Sequence, residues 1–293
     1  MKEKLGLVME GGAMRGLFTA GVIDVFLDQG IQTDGAIGVS AGATFGCNYL
    51  TQQKGRPLRY CIRFCKDPRF CSVPSLLTTG DMFGAEFCYH TIPEDLDPID
   101  NETFLRRGIP FYIVCTDVNT GKAVYHQCKD LLSREELEWV RAGASMPLCS
   151  QIVKAGQYEL LDGGIADSIP LKYFRWKGYT RNIVILTQPA GYLKEPNSTM
   201  PLVRAVYRKY PKLIRAMERR HLVYNRQLEY VAAAEAAGEA FVIRPPKKLP
   251  VSHLSHDPDV LREVYAIGRQ TAMEQLPVLQ AFLSCGSSPA DRK

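Results

Sequence analysis

The first fifty residues alternate short apolar runs with helical stretches, and each run ends in a glycine-bearing turn. Leu5 to Met9 reads as a buried strand, Gly11 to Gly16 as a tight turn and about Arg15 to Asp28 as a helix. On that helix Phe18, Val22, Val25 and Phe26 share an apolar side, Asp24 and Asp28 are expected outside, and Gly30 ends it. Asp34-Gly35 then marks a turn, Ala36 to Val39 a second buried strand, and Ala41 to Leu50 a buried helix. Strand and helix in alternation predict an α/β fold around a largely parallel sheet.

Later segments extend the pattern. Ile109 to Cys115 and Lys122 to Gln127 read as strands joined by a turn at Asn119-Thr120-Gly121. Ser133 with Glu136 forms a capping-box signature for a helix ending before Pro147, and Tyr158 to Leu161 and Ile183 to Thr187 complete the strands. Residues 52–108 are rich in proline and predict short helices. Beyond about residue 200 the chain reads as helical, with one long helix over Asp259 to Leu283. No repeat or linker divides it, so one domain is expected over 5–285, followed by a polar tail at 286–293.

An apolar fraction of 46% supplies a substantial core. No apolar stretch reaches the roughly 20 residues of a spanning helix, and Leu5 to Met9 is too short for a signal-peptide core. Nine scattered cysteines fit a reducing compartment, and a cytoplasmic location is expected. Cys61, Cys65 and Cys71 match no zinc spacing; buried free thiols are expected, not a metal site. The net charge of +5 is local: residues 201–220 carry seven Lys and Arg against one acid, Glu218, and account for all of the excess. Leu202, Val203, Val206, Leu213, Ile214 and Met217 interleave with those cations, while Pro211 interrupts any single helix. This apolar side is expected to pack on the domain, with peripheral contact to anionic lipid as the alternative. No nucleic-acid partner is expected.

Three local features suit acyl transfer. In Gly38-Val39-Ser40-Ala41-Gly42 a serine stands between glycines at a strand-to-helix turn, which exposes a nucleophilic hydroxyl. Gly11-Gly12-Ala13-Met14-Arg15-Gly16 lies between a strand and a helix N-terminus, where free amides can hold an oxyanion. Asp162-Gly163-Gly164 puts a carboxylate at a strand end. The five histidines, His90, His126, His221, His253 and His256, sit in no recognisable motif, so Asp162 is the expected base, its pKa raised by partial burial. Each feature alone also has a plain structural explanation: a hairpin turn at Asp162-Gly163, close helix–strand approach at the glycines, a helix cap at Ser40.

Together the three motifs resemble the patatin-like phospholipases, over about residues 5–190. The resemblance implies a three-layer α/β/α sandwich and a serine acyl hydrolase with a Ser40–Asp162 dyad. It implies an oxyanion hole from Gly11, Gly12 and Ala13, with Gly16, Gly38, Gly42, Gly163 and Gly164 as motif glycines. The substrate implied is a phospholipid or lysophospholipid ester, with no cofactor required. Ala13 stands where the family has a third glycine, so either that position is not left-handed or the loop is rearranged. Arg15 matches in type and position and could brace the loop or receive an anionic head group. The alternatives are an esterase or thioesterase of small soluble substrates, an inactive binding relative, and a nucleotide-binding module. The last lacks both Gly-x-Gly-x-x-Gly and Gly-Lys-Ser/Thr.

Overall fold

The computed structural model describes residues 3–252 and 255–285; the expected polar tail and His253 lie outside the described residues. In chain order come β1 (Leu5–Met9), α1 (Gly16–Asp28), β2 (Gly35–Val39), α2 (Ala41–Thr44), α3 (Cys47–Leu50), α4 (Arg56–Phe64), α5 (Val73–Thr79) and α6 (Asn101–Arg107). Then follow β3 (Phe111–Asp117), β4 (Ala123–Cys128), α7 (Arg134–Gly143), β5 (Val153–Ala155), β6 (Tyr158–Asp162) and α8 (Leu171–Trp176). The last elements are β7 (Arg181–Ile185), α9 (Met200–Val206), α10 (Pro211–Ala236), β8 (Ala240–Ile243) and α11 (Pro258–Cys285).

These strands form one mixed sheet in the order β5-β6-β3-β2-β1-β7-β8, with β4 paired to β3. Neighbours from β3 through β8 in that order run parallel, while β4 and β6 meet β3 antiparallel. Alternate residues of each central strand serve opposite faces, as the pleat demands. Leu7, Met9, Ile113 and Ile183 join one buried cluster with Phe18, Phe26, Val140 and Val264, under α1, α7 and α11. Val8, Ile37, Val114 and Val184 join a second with Phe174, Tyr224 and Val231, under α8 and α10. The fold is thus a sheet between two helical layers, as the family resemblance implies.

Several boundaries differ from expectation. The helix expected over Ala41 to Leu50 is broken at Phe45-Gly46, where a Cβ on Gly46 would stand 2.2 Å from the Gly42 carbonyl oxygen. Asp24 is not outside: α11 covers it, and its Oδ2 accepts from the Gly55 N–H at 2.8 Å and from the Tyr265 hydroxyl. The capping box is half made, because Ser133 accepts the Glu136 N–H while the Glu136 carboxylate takes His126 Nε2 at 2.7 Å. Two strands lie outside the expectations: β5, between the predicted helix and strand, and β8, in a stretch that reads as helical. Cys61, Cys65 and Cys71 are buried free thiols.

Candidate active site

The C-terminal ends of β1, β2 and β7 meet at one edge of the sheet, and the end of β6 joins them. Ser40 follows β2 directly at φ 53 and ψ −126, a conformation costly for a residue with a Cβ. The turn holds because its flanks lack side chains: a Cβ on Gly38 would lie 2.5 Å from the Gly42 carbonyl oxygen, and one on Gly42 would lie 2.4 Å from that of Met9. Ser40 occupies the N-cap position of α2, yet its side chain caps nothing. Its hydroxyl shares the polar side of the site with the Asp162 carboxylate and is among the groups that favour that carboxylate's charged form.

Asp162 ends β6 and does not make a hairpin turn; a 3-10 turn over Gly163–Ile165 follows it. Its backbone is held at both ends, with its N–H on the Ser145 carbonyl at 2.8 Å and its carbonyl receiving the Thr116 hydroxyl at 2.9 Å. Oδ1 accepts the Gly164 N–H at 2.7 Å. Gly163 is in close contact with β3, where a Cβ would come 2.2 Å from the Val114 carbonyl oxygen. Burial raises the Asp162 carboxyl above the ordinary aspartate range, against the Ser40 hydroxyl, the Arg220 cation and the Gly164 N–H.

The glycine-rich loop lies beside Ser40. A Cβ on Gly11 would fall 2.8 Å from the Ser40 Cβ, so only glycine allows this approach. The Gly11 carbonyl receives the Thr187 hydroxyl at 2.9 Å, whereas the Gly11 and Gly12 N–H groups find no acceptor among the described residues. Ala13 has φ 49: the left-handed geometry is kept despite the methyl group. Gly16 lets the start of α1 meet Ala41 and Phe45. The Arg15 guanidinium folds back over Gly12 and its charge acts on Glu10.

Glu10 was not singled out by the sequence. It is buried, its Oε2 accepts the Thr187 N–H and its Oε1 the Tyr224 hydroxyl, both at 2.6 Å, and burial raises its pKa. One carboxylate therefore ties the ends of β1 and β7 to α10. The signal was present, a lone acid wedged between an apolar strand and Gly11, but its partners lie far along the chain.

Ser40 separates two pockets. One is apolar, walled by Phe45, Tyr60, Phe83, Tyr89, Ile92 and Leu137, which places the hard-to-read segment 52–108 around it. The other is polar and holds Glu10, Arg15, Asp162, Lys194 and Arg220. Neither pocket is lined by a histidine among the described residues. No described group of side chains offers a metal site.

The Patatin-like phospholipase family model matches residues 7–175, more than half the chain. The chain belongs to that family. It is accordingly a hydrolase, and at the family level a lipid acyl hydrolase. A second model, Domain of unknown function (DUF6363), matches residues 210–284. The "Uncharacterized protein YjjU" of Escherichia coli is 25% identical over 273 residues, covering 91% of this chain and 75% of that protein. "Lysophospholipase nte1" of Emericella nidulans is 28% identical over 183 residues, 59% of this chain but only 11% of its own length. An "Uncharacterized NTE family protein" of Mycobacterium tuberculosis, Rv2565, is 30% identical over 176 residues, 57% of this chain and 27% of that one.

Proposed function

We propose that this patatin-like hydrolase cleaves the carboxylic ester of a lysophospholipid or phospholipid through an acyl-Ser40 intermediate. The observation that carries this reading is Ser40, set in a strained strand-to-helix turn on the wall shared by an apolar and a polar pocket, with the buried Asp162 carboxylate lining the polar one. The Ser40 oxygen attacks the ester carbonyl carbon while Asp162 takes its proton. The carbonyl π electrons move to oxygen, where the Gly11, Gly12 and Ala13 amides meet the charge. Collapse expels the alcohol, which takes the proton back from Asp162. Asp162 then deprotonates a water that attacks the acyl-serine, and Ser40 leaves with that proton as the carboxylic acid departs. No cofactor enters these steps. The apolar pocket favours a lipid chain over a small soluble acyl group.

A fluorophosphonate probe tests the reading. It should label the wild-type chain at Ser40 and leave Ser40→Ala unlabelled, with ester hydrolysis lost in step. Equal labelling of the variant would refute Ser40 as nucleophile.

The basic segment bears on delivery of the substrate. No described helix is long and apolar enough to cross a membrane. On α9, Val203 is buried, but Leu202 and Val206 are 54% and 56% exposed beside the exposed Arg208 and Lys209. The apolar side is thus split: Val203, Leu213 and Met217 face the domain, and two residues face outward. We infer that this face rests on anionic lipid. Binding to anionic vesicles should weaken with added salt and in Leu202→Ser/Val206→Ser. Equal binding to neutral vesicles in high salt would contradict it.

A further inference from the structure

The polar pocket contains more positive charge than the ester chemistry needs. Arg220 comes from α10 and Lys194 from the loop after β7, both beyond the 7–175 stretch that matches the family model. Arg220 donates Nε to the Gly164 carbonyl at 2.5 Å, and its Nη groups meet no acceptor among the described residues. Lys194 has its backbone pinned to α10, its N–H on Asn225 Oδ1 at 2.8 Å and its carbonyl receiving Asn225 Nδ2 at 3.1 Å. Its ammonium stands 5.2 Å from the centre of the Tyr224 ring and has no carboxylate partner among the described residues. Arg15 is the third cation of the pocket. The two carboxylates present are already engaged, Glu10 by Thr187 and Tyr224, and Asp162 by Gly164.

We propose that Lys194 and Arg220, with Arg15, form a binding site for the phosphate of a lipid head group, on the opposite side of Ser40 from the acyl-chain pocket. This rests on Ser40 as the acyl-transfer centre. The two pockets share Ala13, Ser40 and Met146 as a common wall. An ester whose carbonyl sits at Ser40 therefore has its chain on one side and its phosphate on the other. Burial and the neighbouring Arg220 and Arg15 cations lower the Lys194 amine to about 8, and a bound phosphate would offset that repulsion. Charge-assisted hydrogen bonds from these cationic side chains give the phosphate its affinity.

Ether lipids test this independently of hydrolysis, because they contain no carboxylic ester. The full-length chain is titrated calorimetrically with an alkylglycerol 3-phosphate, with the same alkylglycerol lacking phosphate, and with inorganic phosphate. In the wild type the phosphate-bearing lipid should bind about tenfold or more tighter than the neutral one. Lys194→Gln and Arg220→Gln, shown to be folded by circular dichroism, should each erase most of that advantage, with Arg220→Lys retaining part of it. Equal affinity for the two lipids in the wild type, or an advantage that survives both Gln variants, overturns the proposal. Inorganic phosphate binding as tightly as the phosphate-bearing lipid would overturn the assignment to a lipid head group in favour of free phosphate. Failure of the fluorophosphonate test would instead strike Ser40 as nucleophile and leave these affinities unchanged.

Discussion

Replacing Asp162 with Asn is expected to lower ester turnover by roughly 10²- to 10⁴-fold, the usual worth of a positioned general base. Asparagine can keep the acceptor that meets the Gly164 N–H at 2.7 Å, so the turn should survive while proton removal from Ser40 does not. If Asp162 is the base, the same carboxyl should set the acid limb of the wild-type profile. A base works only when ionised, so activity falls as pH drops through its pKa. Burial raises that pKa, and the fall should occur above the value of about 3.9 for an exposed aspartate. Steady-state kcat/KM from acidic to neutral pH measures both. A variant that kept wild-type turnover would point to another base, although no described histidine borders either pocket.

Glu10→Ala should destabilise the chain by about 2–4 kcal/mol, because two buried donors lose their acceptor at once. The Thr187 N–H and the Tyr224 hydroxyl each meet a Glu10 oxygen at 2.6 Å, and Glu10 is buried. The raised pKa of Glu10 means that burying its charge already costs free energy, which keeps the estimate below the full worth of two charged hydrogen bonds. Urea denaturation gives the number. Hydrolysis should fall further than stability alone explains, since Glu10 fixes the strand end that carries Gly11. A change below about 0.5 kcal/mol, within the range of an ordinary surface substitution, would dismiss the clamp.

What the sequence revealed were the features written locally. Gly38, Ser40 and Gly42 announce a turn that only their spacing can build, and Asp162 stands at a strand end because Glu159-Leu160-Leu161 precedes it. The alternating apolar runs from 5 to 50 set the parallel sheet. What stayed hidden depends on partners far along the chain. Asp24 reads as a surface acid until α11, more than two hundred residues later, supplies Tyr265. Phe241, Val242 and Ile243 form a strand only because β7 offers an open edge, and their four-residue element sits in a stretch otherwise helical. Arg220 reads as one of seven cations on a basic stretch, and nothing nearby in sequence marks it as the one that reaches Gly164.

The two hollows flanking Ser40 are made by stretches of chain that barely overlap. Segment 52–140 supplies most of the greasy side, while residues 188–224 supply two of the three cations, Lys194 and Arg220. Neither stretch contains Ser40 or Asp162. If the proposed acyl and head-group roles hold, the tail accepted and the charge accepted can be altered by separate sets of substitutions.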